Sequence, residues 1–277
     1  MLQMEMLWNA RSVLSGVINK TPLIPAGTVG EGGSLFLKAE CLQKTGAFKL
    51  RGAYYKIATL TEEEKRRGVI ACSAGNHAQG VAFAARDMGI HAVICIPEGA
   101  PLSKIEATRS YGAEVVIVSL CWGRTSATAA TNDQRAQAQQ IADAGADVIL
   151  GTNPQAVFPV EILTAQRGDG KYHPVLCAYS MGNLFTFDRE SRNNLAGILL
   201  RADVQYDPST KTIAFDNLTY DPTFCWRDSI EGVTRTGIVP ADPNSPPVFL
   251  GKKQIDVMER CYNQIVKLMK DSVLKEQ

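Results

Sequence analysis

"GVIACSAGNHAQGVAFAARDMG", residues 68 to 89, sets the fold class of this chain. It opens as a short apolar run that narrows to small residues. From about His77 its apolar positions recur with a helical period, and the pattern stops at Gly89. A strand that runs straight into a helix is the first part of a βαβ unit, and the alternation continues downstream. "HAVICI" (91–96) reads as a strand. "APLSKIEATRSYG" (100–112) reads as a helix with proline at its start and Gly112 at its end. "EVVIVS" (114–119) is a strand, "DQRAQAQQIADAG" (133–145) a helix closed by Gly145, and "ADVILG" (146–151) a further strand. Short unbroken apolar strands between helices predict an α/β fold: an open parallel sheet with helices on both faces. The strands near 69–73, 91–96, 114–119 and 146–150 are expected in one sheet, joined by right-handed crossovers.

Upstream, residues 5–19 read as a short amphipathic helix, "GEGG" (30–33) as a surface turn and "LFLKAE" (35–40) as a strand. A helical pattern runs from Lys49 to about Leu60. Thr61 followed by Glu62, Glu63 and Glu64 then has the form of a new helix start, with acids in the first turn. Beyond about residue 170 the character changes. "HPVLCAYS", "LAGILLRADVQYD" and "TIAFDNLTYD" read as strands joined by turns such as "DPSTK", and "VPADPNSPP" (239–247) reads as a loop. This is an α+β segment with antiparallel strands. A final helix, roughly 252–270, carries Ile255, Met258, Tyr262, Ile265 and Met269 on one stripe.

Composition narrows the function classes. The 277 residues carry a net charge of +1, so no nucleic-acid or membrane field is implied. The seven cysteines are odd in number and scattered without a CxxC pair, which reads as reduced thiols in a cytoplasmic protein. The opening residues carry Glu5 and Arg11 and lack an apolar core of signal-peptide length. No stretch approaches the roughly 18 apolar residues of a membrane span. There are only three histidines: His77, His91 and His173.

Two short motifs carry chemistry. "SAGNHA" (73–78) sits where a parallel strand passes into a helix, beyond the carboxyl end of the strand, where ligands of open α/β sheets bind. Unpaired N–H groups of the helix start favour an anion there. Ser73, Ala74 and Gly75 are small enough for that anion to reach the backbone, and Asn76 offers a carboxamide. The motif lacks the lysine of a P-loop and the pattern GxGxxG. "KAECLQKTGAFKLRGA" (38–53) places Lys49 after a tight Gly46-Ala47-Phe48 run, where partial desolvation would free its amine as a nucleophile.

The two motifs together, about twenty residues apart, resemble the pyridoxal-phosphate enzymes of fold type II, and most closely threonine ammonia-lyase (threonine dehydratase). The resemblance runs from "TPLIPA" near residue 21 to about Val118. It implies a lyase acting on a small amino-acid substrate, threonine or serine, by β-elimination and deamination. It also implies pyridoxal phosphate as cofactor. Lys49 is then the residue that bonds the cofactor aldehyde and shuttles the proton. Asn76 holds the pyridine 3′-oxygen, and Ser73, Ala74, Gly75, Asn76 and His77 receive the substrate carboxylate. Arg51, Lys38 and Glu40 read as scaffold charges. The family's glycine-rich phosphate loop has no counterpart after Val118, which implies a weakly held cofactor and impaired turnover.

The second half resembles another family. "VSLCWG" (118–123), "DAGADVILGTNPQAVFPVEIL" (143–163) and "YSMGNL" (179–184) look like the C-terminal half of the CapA family, metallophosphatase-like proteins linked to poly-γ-glutamate capsule biosynthesis. The resemblance runs to roughly residue 240. Cys121, Asn153 and Gln155 stand where that family has histidines, and carboxamides are poor ligands for a transition metal, so no bound metal is expected. Asn153, Gln155 and Glu161 offer at most a weak site for a hard cation, and read first as surface loop residues. The chain as a whole reads as a hybrid of two partial domains, 1–118 and 119–277. Its exposed apolar stripes are expected to drive self-association.

Overall fold

A computed structural model describes residues 3–30, 32–124, 127, 129–186, 192–230 and 233–276. The chain forms two compact units, residues 1–116 and 117–277.

The first unit opens with α1 (Met4–Leu14), which ends five residues short of the expected 5–19 and turns at Ser15. Met4, Met6, Leu7 and Trp8 of α1 are exposed. A two-stranded antiparallel ribbon follows, β1 (Leu23–Val29) and β2 (Gly33–Lys38). The expected strand at 35–40 is thus β2, displaced by two residues. Its partner β1, the "LIPAGTV" run, was not legible because Pro25 and Gly27 mask a strand pattern. Glu31, in the middle of the expected "GEGG" turn, lies outside the described residues.

Then come α2 (Lys49–Ala58) and α3 (Glu62–Arg67). The acidic start of α3 is a capping box. The Glu64 N–H donates to the Thr61 hydroxyl at 3.3 Å, and the Thr61 N–H donates to the Glu64 carboxylate at 2.8 Å. The opening motif forms β3 (Val69–Cys72) and α4 (Asn76–Asp87), followed by β4 (Ala92–Ile96) and α5 (Leu102–Ser110). β3 and β4 pair in parallel. The next strand, β5 (Val115–Cys121), begins beside β4, where the Glu114 N–H donates to the Ala92 carbonyl at 3.0 Å. Helix α4 covers one face of the β3–β4 pair, burying Ala92, Ile94 and Ile96, while Ile70 on the opposite face is 76% exposed.

The second unit continues β5 with α6 (Asn132–Asp143), β6 (Val148–Thr152), β7 (Val160–Gln166) and β8 (Tyr172–Ala178). β5 pairs with β6 and β6 with β8 in parallel, and β7 returns antiparallel beside β8. Strands 114–119 and 146–150 therefore share one sheet, as the alternation predicts. Helices lie on both faces here. Ala138, Ile141 and Ala142 of α6 are buried on one side. On the other, Val148, Leu176 and Ala178 share a core with α7 (Lys252–Met269). The long strands β9 (Ala196–Asp207), β10 (Thr212–Ile230) and β11 (Val233–Pro240) form an antiparallel sheet, with the short β12 (Lys275–Glu276) at its edge. β10 runs nine residues past its expected end, and β11 takes the first two residues of the expected loop at 239–247. The apolar stripe on α7 is buried through Met258, Cys261, Ile265 and Met269. Among the described residues no helix is long and apolar enough to cross a membrane.

Candidate functional site

Lys49 is the first residue of α2, and Leu50, Ala53, Tyr54 and Ile57 turn the other face of that helix into the unit's interior. The expected desolvation does not occur. Lys49 is exposed, and its ammonium rests 5.1 Å from the ring centroid of Phe48, which is itself 58% exposed. The small residues before it shape the turn without covering the side chain.

One glycine fixes where Lys49 sits. A Cβ added at Gly80 in α4 would lie 3.3 Å from the Lys49 carbonyl carbon and from the backbone of Leu50. The two helices therefore approach at the start of α2, one helical turn beyond Asn76. Farther along, the Tyr54 hydroxyl donates to Asp87 at 2.7 Å, and burial followed by that carboxylate pushes the Tyr54 phenol up to about 12. The Lys49 backbone is thereby packed against α4 at Gly80.

In that loop the Ser73 N–H donates to the Cys95 carbonyl at 3.0 Å, and the Gly75 N–H donates to the Ser73 hydroxyl at 3.2 Å. Ala74, Asn76 and His77 are exposed, with His77 on the first turn of α4. Asn76 accepts a hydrogen bond on its Oδ1 from the Lys104 ammonium of α5 at 3.0 Å. An ammonium only donates, so the carboxamide oxygen must face Lys104 and the NH2 group faces away from it. Thr45, in the segment leading to Lys49, is 3% exposed, and its hydroxyl has no hydrogen-bond partner.

The scaffold charges form a clamp. Arg51 donates to Glu40 through Nε at 2.9 Å and Nη2 at 2.7 Å, and the Thr21 hydroxyl donates to the same carboxylate at 2.6 Å. Lys38 donates to the Thr21 carbonyl. The Arg51 guanidinium, chiefly, holds the Glu40 carboxyl down at about 2. A depressed carboxyl contributes stability above its unfolded value, and that contribution is lost as pH falls through the folded one. Acid unfolding of Glu40→Gln is therefore expected to be less steep between about pH 4.5 and 2 than that of the parent, with about 2 kcal/mol lost at neutral pH. Urea melts across pH check this, and parallel curves for the two proteins would contradict it.

In the second unit the three phrases singled out from the sequence come together. The Trp122 indole N–H donates to the Tyr179 carbonyl at 2.9 Å and stacks on the Tyr179 ring at 5.8 Å. The Asn153 NH2 donates to the Gly123 carbonyl at 2.9 Å. Asn153 and Gln155 both hold positive φ, 89° and 59°, a strained backbone outside glycine. Glu161 is a strand residue of β7, not a loop residue. Its carboxylate takes two hydrogen bonds from Arg135, at 2.6 and 2.8 Å. Cys121 ends β5 and is exposed. Among the described residues no three His, Cys, Asp or Glu side chains group as a metal site.

The family described as pyridoxal-phosphate dependent enzyme matches residues 14–175, more than half of the chain, and the chain belongs to that family. The match passes residue 118 and overlaps the first CapA-like phrases. The chain is 53% identical over 119 residues to the L-threonine ammonia-lyase of Thermotoga maritima, covering 42% of this chain and 30% of that protein. It is 49% identical over 110 residues to the catabolic L-threonine dehydratase of Escherichia coli K12, covering 39% and 33%. The chain thus spans about a third of the length of these curated relatives. Among solved structures, maize serine racemase aligns at 34% identity and a TM-score of 0.39, covering 49% of this chain and 39% of that one. Threonine deaminase isoform 2 of Solanum lycopersicum aligns at 35% and 0.37, covering 42% and 34%.

Sequence reasoning named Lys49 and the 73–77 loop but missed what holds them. Gly80 was the available signal, because glycine inside a helix costs about 1 kcal/mol against alanine and needs a packing reason. Lys104 and Thr45 carry no comparable mark.

Proposed function

We propose that the first unit is the cofactor-lysine part of a pyridoxal-phosphate dependent lyase of the threonine/serine dehydratase type. The observation that supports this is the close backbone approach of α4 to Lys49 and Leu50 at Gly80, one helical turn from Asn76. Lys49 would hold the cofactor through its aldehyde, and its amine would move the proton of the substrate α-carbon. Asn76, turned by Lys104, presents its NH2 to the 3′-oxygen of the ring. Ser73, Ala74, Gly75, Asn76 and His77 form the loop at the helix start that receives the substrate carboxylate. The cofactor itself supplies the electron sink. The residues fit its aldehyde and its 3′-oxygen. The phosphate has no matching glycine loop, since the chain holds no run of three glycines, so the cofactor is weakly held and turnover is impaired. No metal and no nucleic acid enter this reading. The seven free cysteines support a cytoplasmic setting. The test is titration with pyridoxal phosphate followed by visible absorbance, with 2-oxobutanoate from threonine as the product assayed. A saturable shift with slow product formation is expected. Absence of any shift at millimolar cofactor would overturn the reading.

A second reading, supported by the resemblance of the three phrases alone, makes residues 119–277 a CapA-like capsule-biosynthesis domain without its metal. In this reading the chain is a hybrid of the two families. The exposed apolar side chains of α1, β1 and β2 support self-association. Sedimentation is expected to show species above the monomer mass, and a single monomeric boundary at all concentrations would contradict that.

A further inference from the structure

Cys72 and Cys95 end β3 and nearly end β4, and they are direct partners in the parallel ladder. Adjacent strands lie about 4.7–4.9 Å apart, and a disulfide spans Cα separations of about 4.4–6.8 Å. In-register residues of a parallel pair point to the same face of the sheet. Burial shows which face this is. Ala92, Ile94 and Ile96 are buried under α4, whereas Ile70 and Cys72 are exposed and Val93 and Cys95 are partly exposed. Both sulfurs therefore stand on the face that α4 leaves open, and both are free thiols. Neither has a part in the chemistry proposed above.

We propose that Cys72 and Cys95 form a dithiol site that closes into a cross-strand disulfide by exchange with a low-molecular-weight disulfide of the glutathione type. Cys72 is the more exposed and reacts first. Its thiolate bonds to one sulfur of the reagent, and the other sulfur leaves as a thiolate. Cys95 then gives up its proton and attacks the Cys72 sulfur, expelling the second glutathione thiolate. Two protein thiols are oxidised, and one glutathione disulfide is reduced to two thiols. Partial burial raises the Cys95 thiol above its ordinary range, so the second step, in which Cys72 is already an uncharged mixed disulfide, accelerates as pH rises. The bridge ties the end of β3 to β4 just where Ser73 leaves for the loop. Its formation can be measured whether or not the chain binds a cofactor.

The experiment incubates the reduced full chain with oxidised glutathione, then maps peptides by mass spectrometry without reduction. The expected result is a linked peptide pair containing Cys72 and Cys95, reversed by dithiothreitol, with a closing rate that rises with pH. Cys72→Ser and Cys95→Ser should each stop at a glutathione adduct on the remaining cysteine, while Cys41→Ser should still form the bridge. Separate adducts on Cys72 and Cys95 in the parent protein, with no linked pair, would overturn the proposal. So would a linked pair dominated by other cysteines. The parent map decides the question even if a variant fails to fold.

Discussion

Replacing Trp122 by alanine is expected to cost about 3–5 kcal/mol, the range for truncating a buried large aromatic. Trp122 is 7% exposed. Its ring stacks on Tyr179 at 5.8 Å, and its indole N–H satisfies the Tyr179 carbonyl at 2.9 Å. The surroundings are shaped to it, since a Cβ on Gly151 would lie 2.3 Å from the indole nitrogen and 2.1 Å from the Tyr179 oxygen. Removing the ring leaves a void and a buried carbonyl without its donor. Trp122→Phe keeps most of the stack and loses the hydrogen bond, so its cost should be smaller, about 1–3 kcal/mol for the unpaired carbonyl. Urea denaturation followed by far-ultraviolet circular dichroism measures both. A loss below about 1 kcal/mol for the alanine variant would show that the three phrases meet without holding the second unit together.

Gly80→Val should also be damaging, to a smaller extent and for a different reason. The new Cβ would press at 3.3 Å on the backbone of Lys49 and Leu50, which cannot rotate away as a side chain could. Overpacking of this kind costs about 1–3 kcal/mol, and it moves the start of α2 away from the 73–77 loop. Gly52 provides the contrast. It lies within α2, and a Cβ there meets nothing within 4 Å. Gly52→Ala is therefore expected to stabilise by about 0.5–1 kcal/mol through helix propensity alone. Equal responses at the two glycines would remove the packing argument that positions Lys49.

How much of this was legible follows from where the signals lie. The parallel strands announced themselves because each is a short apolar run closed by glycine turns, and Gly89, Gly112 and Gly145 do adopt positive φ. The start of α3 was legible because Thr61 and Glu64 carry both halves of a local hydrogen-bond exchange. β1, β7 and β11 were not, because their residues alternate poorly and owe their strand form to pairing with the neighbouring strand of a hairpin. The site was half legible. Lys49 and the loop at 73–77 are contiguous motifs, whereas Gly80 and Lys104 matter through contacts that only folding creates. The exposure of Lys49 was misjudged for the same reason, since small neighbours in sequence do not by themselves cover a long side chain.

The central claim is that Lys49 is the residue that bonds the cofactor. The direct measurement is to incubate the chain with excess pyridoxal phosphate, reduce with borohydride and locate the adduct by peptide mass spectrometry, with Lys49→Ala as control. Modification concentrated on Lys49 and absent from the control is the result this account predicts. Modification spread evenly over the surface lysines, with Lys49 no more reactive than the rest, would contradict it.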